Sequence, residues 1–132
     1  MSFLIDTNIL SELAKPRPNP GVLLWADGQT VLGVSAVTID EIVFGLSWKP
    51  KPAFRAHLEN YLAGHCEIFP VTEVIARRSG ELRGNFCARG IVREQSDMLI
   101  AATAQIHALT LVTRNTADFA GCGIPVLNPF SA

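Results

Sequence analysis

Apolar runs of strand length alternate with helical segments along the whole chain, and that alternation restricts the fold more than any other feature. Residues 3–6, 31–35, 67–71, 110–113 and 125–127 read as strands. Helices are expected over 8–15 (stopped by Pro16), 21–27, 39–47, 54–62, 73–88 and 97–108. Pro16-Arg17-Pro18-Asn19-Pro20 and Pro50-Lys51-Pro52 break helices inside one domain, expected to span 1–132, rather than marking a linker. Strands alternating with helices argue for an α/β class with a central parallel sheet of about four or five strands, covered on both faces. Ligands of such open sheets bind beyond the carboxyl ends of the strands. The residues that matter most are therefore those just after each strand.

Three widely separated acids stand in apolar surroundings, each where a helix should begin. Asp6 ends Ser2-Phe3-Leu4-Ile5, Glu41 lies in Val37-Thr38-Ile39-Asp40-Glu41-Ile42, and Asp97 opens Asp97-Met98-Leu99-Ile100-Ala101-Ala102. A carboxylate in such a setting is usually paired, capping a helix or holding a metal. Each acid also has a plain structural explanation. Thr38-x-x-Glu41 reads as a capping box. Asp97 follows Ser96 in a first helical turn, where the helix dipole favours negative charge. Asp118, in Thr116-Ala117-Asp118-Phe119, can open a short turn. Asp6 resists this explanation best, since Thr7 or Asn8 can cap the helix without it. Together at one sheet edge the four acids repel, and a bound cation is the natural resolution. Oxygen ligands of this kind suit Mg²⁺. Ala101, Ala102 and Ala104 are small enough to let their helix approach the sheet and bring Asp97 towards Asp6.

The rest of the chain excludes several classes. With 48% hydrophobic and 17% charged residues it is globular rather than disordered. A net charge of −1 gives no global basic bias, so nucleic-acid affinity must come from a local patch or through metal ions. Cys66, Cys87 and Cys122 show no CxxC spacing, which points to reduced, mostly buried thiols and a cytoplasmic location. His57, His65 and His107 form no zinc-like pair. The opening Met1-Ser2-Phe3-Leu4-Ile5 lacks the basic region of a signal peptide, and no apolar run reaches the ~18 residues of a membrane span.

Ile5-Asp6-Thr7-Asn8, a mid-chain Thr-x-x-Glu, Asp97-x-x-Ile-Ala-Ala and Thr113-Arg114-Asn115-Thr-x-Asp118-Phe119 occur in that order. This ordered set resembles the PIN-domain nucleases. The ending Ile124-Pro125-Val126-x-Asn128-Pro129-Phe130 resembles the VapC-type toxins of that family. The resemblance implies a metal-dependent endoribonuclease, using Mg²⁺ or Mn²⁺, that dimerises and is blocked by a small antitoxin. It makes Asp6, Glu41 and Asp97 metal ligands. Asn115 stands where many relatives carry an acid, and Asp118 is the nearest carboxylate to serve instead, through a water. An expected preference for single-stranded or loop RNA comes with the resemblance.

Arg77, Arg78, Arg83, Arg89, Arg93 and Arg114 are available for RNA phosphates, with Arg114 favoured by its neighbours; a solvated helix face is the plain alternative for each. Trp25, Phe44, Trp48 and Phe54 are core by default and an antitoxin groove on the sharper reading. Two other carboxylate-bearing α/β classes fit less well. A phosphoacceptor receiver needs a late lysine, where this chain has Arg114, and a haloacid-type phosphatase needs a second acid in place of Asn8. A catalytically silent PIN-like domain that only binds a partner is the remaining alternative.

Overall fold

A computed structural model describes residues 2–131; residues 1 and 132 of the expected 1–132 domain, and the Met1 of the leader reading, lie outside the described residues. In chain order the elements are β1 (Phe3–Ile5), α1 (Thr7–Leu13), α2 (Pro20–Asp27), β2 (Leu32–Ser35), α3 (Ala36–Trp48), α4 (Pro52–His65), β3 (Cys66–Phe69), α5 (Glu73–Ala88), α6 (Gln95–Ile106), β4 (Thr110–Val112), a 3₁₀ turn (Thr116–Phe119) and β5 (Val126–Leu127). The five strands form one sheet in the order β3-β2-β1-β4-β5. Every pairing is parallel, with Ile5 opposite Val34 on one side and Val112 on the other. The chain builds outward from β1 through β2 to β3, then returns to the other side of β1 with β4. Between β1 and β4 lies the switch point at which such sheets bind ligands.

Strand alternation divides the core in two. Leu4 and Leu111 point towards α5 and α6, where they meet Ile75, Leu82, Phe86, Met98 and Phe119. Ile5, Val34 and Val112 point the other way, onto Ile9, Leu10, Val22, Ile42, Leu46 and Leu58 of α1 to α4. Helix α6 is buried on most sides: Ala101, Ala102, Thr103 and Ala104 are all inaccessible to solvent. The Thr103 hydroxyl is satisfied by donating to the Leu99 carbonyl at 2.8 Å. The alanines thus do more than favour helix; larger side chains have no room between α6 and its neighbours.

Several helices start further towards the N-terminus than expected. Helix α3 starts at Ala36, not 39, with Ser35 Oγ accepting from Val37 N at 3.1 Å. The Thr38-x-x-Glu41 capping box therefore does not form, and Thr38 is a buried residue of the first turn. Pro52, suited to a first helical position, starts α4 two residues early. Asp6 itself is the N-cap of α1, so the expectation that Thr7 or Asn8 takes that role is corrected. Cys87 is exposed rather than buried, and all three cysteines are free thiols.

The C-terminal segment is fastened to α2. Asn19 Oδ1, the cap of α2, accepts from Gly21 N, Ser131 N and Ser131 Oγ, all at 3.0 Å. A Cβ at Gly21 would lie 2.5 Å from the Pro129 carbonyl oxygen and 2.6 Å from Ser131 N. Gly21→Ala is expected to lower stability by about 1–2 kcal/mol, read from thermal unfolding, because backbone must shift to admit the methyl group. An unchanged melting temperature would show the segment to be undocked in solution.

Candidate active site

Asp6 follows β1 directly and is almost fully buried at 5% exposure. Its Oδ1 accepts from Thr7 N at 2.8 Å, and its Oδ2 accepts from Asn8 Nδ2 at 3.1 Å and Thr113 Oγ1 at 2.8 Å. Thr113 comes from the end of β4, so this carboxylate bridges the switch point; Asp6 N donates to the Val112 carbonyl at 2.9 Å alongside it. Burial raises the Asp6 pKa above its ordinary value; the bonds from Thr113, Thr7 and Asn8 oppose that rise, and the charge of Asp118 adds to it. Among the described residues no lysine or arginine forms an ion pair with this buried acid.

Glu41 reaches the same edge from the second turn of α3. Its Oε1 accepts from Thr7 Oγ1 at 2.7 Å, and Thr7 Oγ1 lies 3.2 Å from Thr38 Oγ1. Thr7 thus aims Glu41 at the start of α1, beside Asp6. Asp97 is the third residue of α6, half-buried, and its pKa is pushed up to about 6. Burial is the largest cause, followed by the negative charges of Asp6, Asp118, Glu41 and Glu94. One carboxyl group therefore feels all three other expected acids, together with a fifth.

That fifth acid, Glu94, was not singled out in the sequence. It is the N-cap of α6, makes no capping bond through its side chain, and stands three residues before Asp97. An acid one turn before Asp97 is a visible signal, hidden by starting the helix at 97. Asp118 lies in the 3₁₀ turn after β4 and is exposed. Asn115 precedes that turn; its backbone N donates to Thr113 Oγ1 at 3.0 Å, and its side chain makes no capping bond. Sequence reading also missed Thr7, Thr113 and Asn8, which orient the acids. Their signal was the dense hydroxyl and amide content of the two strand-end motifs.

The donor set is all oxygen. Among the described residues none of the five acids forms an ion pair with lysine or arginine. Nor do three or more acids stand close enough to form a finished metal cage among those residues. Mg²⁺ does not require one: it binds through one or two carboxylates and keeps several waters. An oxygen-only donor set with no ion-paired acid among the described residues fits such an ion better than it fits zinc. The histidines lie elsewhere, His65 against Tyr61 and His107 against Phe69 at ring separations of 4.7 and 4.4 Å.

The PIN domain pattern matches residues 3–121. The chain belongs to the PIN-domain family. Within that family it falls among the VapC-type toxins. It is 33% identical to VapC ribonuclease Y4jK of Sinorhizobium fredii over 136 positions, covering 97% of each chain. To Toxin FitB of Neisseria gonorrhoeae it is 34% identical over 138 positions, covering 97% of this chain and 98% of that one. Its fold superimposes on a toxin–antitoxin complex from Klebsiella pneumoniae with a TM-score of 0.73 and 31% identity, covering 99% of this chain and all of that one.

In this PIN domain a groove of about 390 Å³ leads away from the acidic edge. It starts at Thr7 and Glu41, runs along α3 past Gly45, and reaches Trp48, Lys49 and Phe54. The aromatic set divides here. Trp25 packs edge-on to Phe3 with ring centroids 5.2 Å apart, and Phe54 packs on the core. Phe44 and Trp48 are 67% and 69% exposed. The arginines divide too. Arg77 and Arg78 pair with Glu73 and Glu81 on α5. Arg114 sits beside the edge, with its backbone N donating to Asn8 Oδ1 at 3.0 Å and its guanidinium 4.6 Å from the Phe130 ring.

Proposed function

We propose that this PIN domain is a metal-dependent endoribonuclease, the toxin of a toxin–antitoxin pair, with Asp6, Glu41, Asp97 and Asp118 as its metal-holding acids. One observation carries the reading. Asp6, Glu41 and Asp118, from three other elements, are near enough for their charge to act on Asp97, and none of the four is ion-paired among the described residues. Proteins do not gather uncompensated carboxylates in a half-buried site without a use for the charge. The names of the relatives, VapC ribonuclease and Toxin FitB, support the same activity and role.

Asp6, Glu41, Asp97 and Asp118 would hold the Mg²⁺ or Mn²⁺, which when bound would supply an activated water and neutralise charge on the scissile phosphate. The chain's own residues set up the rest. Asp6 is held in one orientation by three donors, and the Thr7 hydroxyl fixes Glu41 beside it. Asp97 stands half-buried in the first turn of α6. Asn115 lies within the strand-end loop and is placed to meet the substrate backbone. Arg114, beside the edge and unpaired with any acid among the described residues, offers a phosphate contact. The open edge suits single-stranded or loop RNA, whose backbone can reach it.

Exposed Phe44 and Trp48 beside the groove support an antitoxin segment that lies along α3 and blocks the edge. Exposed Leu24 on α2 gives a second copy an apolar contact, in keeping with a homodimer. No helix of the described residues is long and apolar enough to cross a membrane, and a cytoplasmic location follows from the toxin reading.

Metal binding is the direct check. Mn²⁺ at ~100 times its dissociation constant should stabilise the fold by about 2.7 kcal/mol over the same protein in EDTA. RNA cleavage should appear with Mg²⁺ or Mn²⁺ and vanish with EDTA. Coincident melting curves at saturating metal count against a shared ion site, and metal-dependent binding without cleavage would favour a silent partner-binding domain.

A further inference from the structure

A single guanidinium joins the turn that carries Asp118 to the segment that carries Glu94 and Asp97. Arg93 lies in the link between α5 and α6, immediately before the N-cap Glu94. Its Nη1 donates to the Asp118 carbonyl and its Nη2 to the Ala120 carbonyl, the latter at 2.8 Å. The guanidinium also lies 4.2 Å from the centre of the ring of Phe86, a buried residue of α5. Among the described residues Arg93 forms no ion pair. Its charge is directed at backbone carbonyls, and the neighbouring carboxylates are left free.

The Asp118 turn has few other supports. Phe119 is its only buried side chain, and Asn115 makes no side-chain cap. The amides of Asp118, Ala120 and Cys122 donate within the turn at 3.1, 3.3 and 3.3 Å, the last two long for backbone bonds. Charge-assisted bonds from a rigid fork are stronger than these and fix direction as well as distance. Lysine cannot reproduce them, since it presents a point charge in place of two parallel donors.

We propose that Arg93 is a positioning residue: its fork sets where Asp118 stands relative to Asp97 and so completes the carboxylate edge. The proposal rests on the nuclease reading given above and adds a residue to it. Three measurements on Arg93→Met test it. Hydrogen exchange should quicken about tenfold or more at the Asp118, Ala120 and Cys122 amides, with α6 unchanged. Mn²⁺ affinity of the metal-free protein should fall about tenfold. RNA cleavage should lose kcat with KM unchanged, and adding Asp118→Asn should cost little more, because both changes remove the same interaction.

A raised KM with a weaker salt dependence, additive with Asp118→Asn, would make Arg93 a phosphate contact and overturn the proposal. So would unchanged Mn²⁺ affinity with α6 and the turn loosening together, the behaviour of simple packing. If Arg93→Met fails to fold, Arg93→Lys carries the same test, since it keeps the positive charge on a long alkyl stem and loses the fork. If the native chain cleaves no RNA, the nuclease reading fails, while the exchange and Mn²⁺ measurements still decide the link between Arg93 and Asp118.

Discussion

Asp97→Asn is expected to abolish metal-dependent RNA cleavage and, at the same time, to raise the melting temperature of the metal-free protein at pH 7. The two effects share one cause. Asp97 ionises against burial and against the charge of Asp6, Asp118, Glu41 and Glu94, which holds its pKa at about 6. Its folded pKa lies above the unfolded value. The stability it contributes is therefore complete below about 4 and lost as pH rises through about 6. Asparagine removes that loss. The gain should be on the order of 1 kcal/mol at pH 7, after discounting for the solvent around a half-buried group. The metal-free native protein should grow more stable on acidification from pH 7 to 5, and the variant should lack that slope. Saturating Mn²⁺ should reverse the slope, since the ion requires the ionised form. Cleavage should fall by about three orders of magnitude, equivalent to roughly 4 kcal/mol of transition-state stabilisation.

Asp6→Asn should lose activity equally but respond oppositely in stability. Both Asp6 oxygens accept bonds, three in all, and an amide nitrogen in either position faces a donor. Cleavage rates and thermal melts from pH 5 to 8, on both variants, check the pair. If Asp97→Asn retains metal-dependent cleavage within tenfold of the native rate, Asp97 is only a helix-start acid.

The alternation of periods made the parallel sheet legible in the sequence, because strands buried on both faces have to be short and apolar. Asp6 and Asp97 were legible because each is a lone charge beside an apolar run. What escaped was decided between elements. Glu41 looked like half of a capping box because Thr38 lies three residues before it, yet Ser35 is the cap and Glu41 is held by Thr7 from another helix. Arg93 looked like one arginine among many, because its partners are two carbonyls more than twenty residues away. Trp25, Phe44, Trp48 and Phe54 are alike in sequence; only packing against Phe3 and the core separates the partly buried pair from the exposed one. Local pattern fixes periodicity and caps, whereas contacts between distant segments choose which polar group meets which.

Trp48→Ala is expected to weaken binding of the cognate antitoxin by about 2 kcal/mol or more, roughly thirtyfold in dissociation constant, with little change in the fold's own stability. Trp48 stands at the far end of the groove that opens beside Glu41. It is 69% exposed, 6.2 Å from the Phe44 ring, with the Lys49 ammonium 4.8 Å from its own ring centre. A side chain so exposed contributes little to folding, so truncation should alter stability by no more than about 0.5 kcal/mol. Covered by a partner, the same indole would bury enough apolar area to act as an anchor. An antitoxin segment seated there and continuing along α3 arrives at Glu41 and Thr7, next to Asp6. A basic side chain at its end would occupy the uncompensated carboxylates in place of metal, so inhibition needs no change of shape in the toxin. Calorimetric titration of antitoxin into native protein and Trp48→Ala, with melts of both, separates the outcomes. Lower affinity at equal stability supports the anchor. Unchanged affinity would leave the Phe44–Trp48 patch to a second copy of the chain, and a large loss of stability would mean that the indole packs inward in solution.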